Sequence, residues 1–267
     1  IVRKDGFVYY NDPDFSINDN PLNETDTETL NEVLRLIKSF QALPQLRELE
    51  TIIGKVRGSL SQNIGDQIIE LEHNPNAKGL FHIEGLYPLI KDGKELELQY
   101  QPFNYAEPIQ YLIHPYLIKE YNNRWFLLGW IPNERKYSVL GLDRIISYKE
   151  TGDHSDRDRK DKLVKLEKQV IGVSINEGQE PIEIKLWVST SQVPYITTKP
   201  LHPSQKMIDE VTDGSIFTLQ LVPNFELEQT ILMYGERVKV LEPDDLKKRI
   251  QKRLMEAMNL YQDKSES

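Results

Sequence analysis

Three short segments hold the side chains best suited to binding chemistry: H-P-Y at 114–116, R-W-F-L at 124–127 and L-D-R-I at 142–145. Arg124 and Arg144 offer planar, permanently charged forks that match phosphate or carboxylate oxygens two bonds at a time. His114 and Tyr116 offer a ring for stacking and a polar edge for hydrogen bonding. Two arginines held close together need an anion or a nearby acid, and Asp143 is placed to be that acid. If the three segments lie on neighbouring strands, Arg124 and Arg144 stand near His114 and Tyr116 and form an anion pocket. A plainer reading stands beside this one. Trp125 and Leu127 alternate with Phe126 and Leu128, so both faces of that stretch are apolar and spacing alone makes them core. His114 precedes a proline and fits a strand end equally well, and Arg144 fits a stabilising ion pair. The two readings meet if Trp125 and its neighbours are core and Arg124 is held by that core at the rim of a pocket.

Catalytic signatures are absent. There is no glycine-rich phosphate loop, no G-x-S-x-G and no H-E-x-x-H. The histidines (His73, His82, His114, His154 and His202) are scattered, and His73 and His82 lack the i, i+4 spacing of a helical metal pair. The chain has no cysteine, which excludes disulfides and thiol catalysis and fits a cytoplasmic protein. No two carboxylates stand out as general acid and base. The expectation is a binding protein, not an enzyme, with no metal and no cofactor.

The elements that must position these residues follow from periodicity. The 267 residues, 39% hydrophobic and 28% charged, suffice for two domains and at least one sizeable core. No apolar run reaches membrane-spanning length. The net charge of -9 argues against a protein that coats nucleic acid along its whole surface, while leaving room for a local basic pocket. The chain opens at Ile1 inside what reads as a β-ribbon over residues 1–20, which suggests that a further N-terminal segment precedes it. Residues 25–60 read as a helical hairpin broken at Pro44. Residues 79–90 read as a short helical connector. Leu96, Leu98 and Tyr100 alternate with Glu95, Glu97 and Gln99 as in a half-buried strand. Further strands are expected at 109–120, 124–131 and 136–140 and after Gly141, close enough together for a small, highly curved sheet or barrel. The mixed-sign run over 152–168 reads as a linker or an exposed helix start, a solvated segment and not a binding tail. Beyond it, strands are expected at 183–188 and 217–222. A terminal helix starts after Pro243, with Leu246, Ile250, Leu254, Met258 and Tyr261 on one apolar stripe.

R-W-F-L-L-G-W at 124–130 followed by L-D-R-I, with H-P-Y upstream and L-Q-Y at 98–100, resembles the WYL domain of bacterial transcriptional regulators. The family's Trp-Tyr-Leu triplet is Trp125-Phe126-Leu127 here, so the hydroxyl is missing while the ring remains for packing. P-L-H-P-S-Q at 200–205, N-x-E-L at 224–227, I-L-x-Y-G at 231–235 and V-L-x-P at 240–243 resemble the extension that often follows a WYL domain. G-F-V-Y-Y-N-D-P-D-F-S-I near the start resembles the last wing strand of a winged helix-turn-helix and the segment after it.

The resemblance implies an α+β chain with five segments. These are a wing remnant at 1–20, a helical linker region at 21–74, an Sm-like, SH3-type small β-barrel at 75–150, a charged linker at 151–169 and a ferredoxin-like extension at 170–267. It implies a homodimeric, cytoplasmic ligand sensor whose DNA-binding winged helix, contacting duplex DNA, lies N-terminal to this chain. The effector it implies is anionic, a short single-stranded nucleic acid or nucleotide, held by His114, Tyr116, Arg124, Trp125 and Arg144, with Tyr100 beside them. Effector binding would then shift the spacing of the paired DNA-binding domains. Two other readings stay open: a structural dimerisation module whose arginines are filled by internal acids, and an accessory protein of a nucleic-acid enzyme.

Overall fold

The structure, a computed structural model, describes residues 2–4, 7–9 and 78–262. The chain divides into two units, Ile1–His73 and Asn74–Ser267. In the first, β1 (Val2–Lys4) and β2 (Phe7–Tyr9) pair as an antiparallel hairpin, as the sequence suggests. The helical hairpin expected at 25–60 lies outside the described residues.

The second unit holds two antiparallel sheets. The first is built from β3 (Lys94–Tyr100), β4 (Ile109–Tyr121), β5 (Arg124–Ile131), β6 (Lys136–Gly141) and β7 (Ile145–His154), in the order β6-β5-β4-β3-β7. Helix α1 (Phe81–Lys91) precedes it and buries His82, Ile83 and Leu86 against it. The β4–β5 hairpin turns on Asn122 and Asn123, with φ of 50° and 58°. Asparagine tolerates this left-handed region, and two such residues make the tight turn whose twist suits a hairpin. Arg124 therefore pairs directly with Tyr121.

Strand β5 is apolar on both faces because both faces are covered. Leu127 and Ile131, with Trp125 beside them, join the main core of Leu96, Leu98, Tyr100 and Ile113. Leu128 and Trp130, with Phe126, face the other way, into a smaller core of Tyr116, Tyr137 and Leu163. Gly129 sits between them where a Cβ would come within 2.5 Å of the His114 carbonyl oxygen, so only glycine lets β4 approach this closely.

The sheet curls without closing. A single 3-10 turn, Leu142–Arg144, carries the chain from β6 to β7, the two edges of the sheet. Four Cα steps span at most about 14 Å, whereas five flat strands would set those edges about 19 Å apart. The edges must bend toward one another at this end. They do not hydrogen-bond to each other, so the expected small barrel appears as an open, curled sheet.

Beyond β7 the charged run forms helix α2 (Arg157–Glu167), capped by the Asp156 carboxylate, which accepts from the backbone N–H of Asp158 and Arg159. The second sheet contains β8 (Ile182–Ser189), β9 (Lys206–Val211), β10 (Gly214–Leu221) and β11 (Val238–Glu242), in the order β11-β8-β10-β9. Helices α3 (Val193–Thr198), α4 (Phe225–Met233) and α5 (Asp244–Tyr261) complete it. Asn224 of the N-x-E-L motif is the N-cap of α4, accepting from Leu227 N–H at 2.9 Å. In α5 only Leu246 and Ile250 of the expected apolar stripe are buried, while Leu254, Met258 and Tyr261 are exposed. An 18-residue helix runs about 27 Å, well past the five-residue strand β11 that it follows.

Candidate functional site

The end of the curled sheet where the 3-10 turn crosses brings a buried phenol, a guanidinium and a carboxylate together. Tyr100 closes β3, and its hydroxyl oxygen accepts a hydrogen bond from Gly141 N–H at 3.1 Å. Burial pushes its phenol pKa up, and the Arg144 charge and the Gly141 N–H pull the other way. The Arg144 guanidinium lies over two rings, 5.4 Å from the centroid of Tyr100 and 4.7 Å from that of Phe103. Each such contact contributes roughly 0.5–2 kcal/mol, so the side chain is held in place by stacking. A Cβ on Gly141 would come within 2.5 Å of an Arg144 terminal nitrogen, which explains glycine at the head of this turn.

Asp143 lies beside Arg144, with Oδ1 3.5 Å from Nε. Both atoms are buried, and neither has a hydrogen-bond partner among the described residues. The pair attracts by charge without closing a bond. Leaving buried polar atoms unpaired costs about 1–3 kcal/mol each, a cost that a bound group can relieve. A cavity of about 350 Å³ opens beside Asp143, lined also by Gly79, Phe81, His82 and Leu142.

Arg124 opens β5, paired with Tyr121 of β4. The last β5–β6 pair is Phe126 with Gly141. Arg124 is exposed and has no ion-pair partner among the described residues. Trp125, half-buried, packs against the core that contains Tyr100, Leu140 and Leu142. Tyr100 and Arg144 stand together at this end, Trp125 packs on the core that contains Tyr100, and Arg124 opens strand β5 next to Trp125.

His114 and Tyr116 do not join them, which corrects the expectation that the arginines stand near these two. His114 pairs with Trp130, six residues from Arg124, or about 20 Å along the strand. Its neighbour Ile113 faces the main core, so His114 faces outward. There its Nδ1 accepts from Asp156 N–H at 3.3 Å, which leaves the proton on Nε2 to donate to Glu95 Oε2 at 2.8 Å. Glu95 also accepts from the Thr151 hydroxyl at 2.9 Å. Tyr116 is buried in the smaller core beneath α2, and burial, with Asp156 nearby, raises its phenol pKa far above the ordinary value. These two residues lock α2 onto the sheet. Arg159 of α2 stacks on Trp130 at 3.6 Å in the same region.

Phe103 is the residue that sequence reasoning missed. The only signal was two aromatics in the loop P-F-N-Y-A-E-P, which has no periodicity to interpret. A larger cleft of about 630 Å³ near the starts of α4 and α5 contains one arginine, Arg249. It is engaged by Glu228 at 2.7 Å and Asp245 at 3.5 Å, so it offers no open cation. Among the described residues no cluster of three or more histidines and carboxylates could hold a metal, and no helix is long and apolar enough to cross a membrane.

Residues 82–150 match the family model of the WYL domain, and residues 180–258 match that of the WCX domain. No curated protein matches. Among solved structures, proteasome accessory factor B/C (PafBC) of Arthrobacter aurescens is similar at 14% identity and a TM-score of 0.31. That match covers 72% of this chain and 29% of the other. A CRISPR Cas-related protein is similar at 12% identity and a TM-score of 0.45, covering 70% of this chain and 54% of the other. The chain therefore spans well under two thirds of the length of either.

Proposed function

This chain carries a WYL domain followed by a WCX domain, and from that premise we propose that it is the ligand-sensing part of a DNA-binding transcriptional regulator. The WYL domain takes an anionic effector, a short single-stranded nucleic acid or nucleotide, at the Tyr100–Arg124–Arg144 end of the sheet. The observation that carries this reading is the state of the two arginines. Arg124 is exposed without an ion pair among the described residues, and Arg144 is stacked in place beside a carboxylate it does not hydrogen-bond.

The rest of the reading follows the family. The curled sheet serves as the Sm-like small barrel. The β-α-β-β-α-β succession with strand order β11-β8-β10-β9 supports a ferredoxin-like extension that joins two copies. A winged helix N-terminal to this chain supplies contact with duplex DNA, the work is done in the cytoplasm, and the site binds without catalysing. A structural dimerisation module without a ligand predicts both arginines in buried salt bridges. The approach of Asp143 to Arg144 favours that alternative, and the exposure of Arg124 weighs against it.

Fluorescence anisotropy with short labelled single-stranded DNA and RNA, at two salt concentrations, tests the proposal. The 267-residue chain should bind with an affinity that falls as salt rises, and an Arg124→Ala, Arg144→Ala double variant should lose at least about tenfold. Absence of binding by folded protein would remove single strands as the effector.

A further inference from the structure

The chain passes from the first sheet to the second through residues 168–177, and this segment is stitched to both. Ile171 is buried in the core of the second sheet. Ile175, four residues on, packs against the smaller core of Tyr116, Leu128 and Leu163 beside the first sheet. Glu177 then meets Lys162 of α2 at 2.6 Å. The crossing therefore enters the second core, returns to the first, and leaves again for β8. A plain connector between domains is exposed and crossed by few contacts.

Side chains from both sides hold this segment. From the first sheet, Lys119 of β4 donates to the Gly172 carbonyl at 2.6 Å and pairs with Glu167 at the end of α2 at 2.5 Å. From the second come two residues of the N-x-E-L motif. The Asn224 amide donates to the carbonyls of Ile171 at 2.7 Å and Ser174 at 3.0 Å, while its oxygen caps α4. Glu226 Oε1 accepts from the Ser174 hydroxyl at 2.7 Å and from the backbone N–H of Ser174 at 3.0 Å and Val173 at 3.4 Å. Glu226 packs closely on Gly172, where a Cβ would come within 2.5 Å of its Cγ. Glu226 is buried, and its Oε2 has no hydrogen-bond partner among the described residues. A buried carboxylate with one oxygen unmatched is costly, so its place here is explained by the three bonds on the other oxygen. The β4–β5 hairpin reaches the same helix. Burial raises the phenol pKa of Tyr121, Glu226 nearby raises it further, and Thr230 of α4 lowers it.

We infer that Lys119, Asn224 and Glu226 form a clamp on residues 171–174 that joins the two sheets into one cooperative unit, so that a displacement of the β4–β5 hairpin is passed to α4 and not absorbed by the connecting segment. Asn224 and Glu226 act as positioning residues, through the backbone they hold. This coupling does not depend on what the first sheet binds. Its physical signature is shared stability: sheets joined only by a flexible connector open separately, whereas clamped sheets lose their protection together.

Hydrogen exchange followed by mass spectrometry on the 267-residue chain reads each sheet separately. Ile196 of α3 is buried in the second core, and Ile196→Val loosens that core. In the otherwise unchanged chain this substitution should speed exchange of the slowest amides of β4, in the first sheet, by about two- to tenfold. Added to a Lys119→Met, Asn224→Ser variant, it should speed β10 and leave β4 as it was. Methionine keeps the stem of Lys119 without its charge, and serine keeps the cap of α4 without the amide that reaches the segment. Lys119→Met and Asn224→Ser should each lower the transmitted effect alone, which covers a double variant that does not fold. Indifference of β4 to Ile196→Val in the otherwise unchanged chain overturns the clamp, and that result requires no clamp variant. Transmission that persists undiminished in the single and double variants overturns it equally.

Discussion

Burial lowers the pKa of His82 below its ordinary 6.5, and its Nε2 proton is committed to the Ile145 carbonyl at 3.0 Å. A histidine kept neutral in the fold and free to protonate in the unfolded chain makes stability fall with acid. Its contribution is complete above about pH 6.5, declines as pH drops toward the lowered folded value, and declines no further below that. His82→Gln retains an N–H donor for Ile145 and cannot titrate. The thermal midpoint of wild type minus that of this variant should fall as pH is lowered through this window, and a flat difference would mean that His82 already protonates in the fold. At this scale the sequence was legible where side-chain type mattered and misleading where direction mattered. Arg124, Arg144, Asp143 and Tyr100 stand out by chemistry alone, and Arg144, Asp143 and Tyr100 do come together. His114 carries equally suggestive chemistry but faces the other side, because one step along a strand reverses a side chain and the β4 bulge between Pro115 and Leu117 resets the count. Phe103 offered no pattern, since a loop has none.

Helix α2 shows how an element can hide in its own charges. In D-R-D-R-K-D-K-L-V-K-L-E the apolar positions are too few to mark a face, so the segment reads as a linker or an exposed helix start, with no sign of the core contact it makes. In the fold it has an aspartate cap and one fully buried side chain, Leu163, inserted among Tyr116, Leu128, Trp130 and Tyr137. Tyr137 also donates its hydroxyl proton to the Arg159 carbonyl at 2.8 Å. The helix is anchored by what it covers and owes little to its own composition. Leu163→Ala should therefore destabilise the protein by about 2–5 kcal/mol, and Asp156→Ala, which removes the cap, by about 0.5–2 kcal/mol. Urea unfolding followed by tryptophan fluorescence measures both, and an unaffected Leu163→Ala would mean that α2 does not pack on β5. The strands of both sheets were easier to place, because alternation survives even when both faces are buried. The elements between them, α3, β9 and α4, escaped notice because each is short and its signal is a cap or a turn.

At the scale of the molecule, a net charge of -9 and a cationic binding site coexist because so few charges do the binding. Arg124 and Arg144 are the cations of the proposed site, and Lys78 lines the cavity beside Asp143. With two or three phosphates neutralised, the logarithm of single-strand affinity should fall against the logarithm of salt with a slope of about -1.4 to -2. Anisotropy titrations across a salt series measure it, and a much steeper slope would point to an extended basic surface that this fold does not provide. The short turn Leu142–Arg144 joins β6 to β7 and also carries Arg144, the arginine proposed to hold the effector. A force applied to that guanidinium is therefore a force on the seam between the two free margins of the sheet. The grip on an effector and the width of that seam are mechanically one variable: a strand drawn in tightens the clasp, and anything elsewhere in the chain that pries the margins apart must loosen the grip by the same free energy.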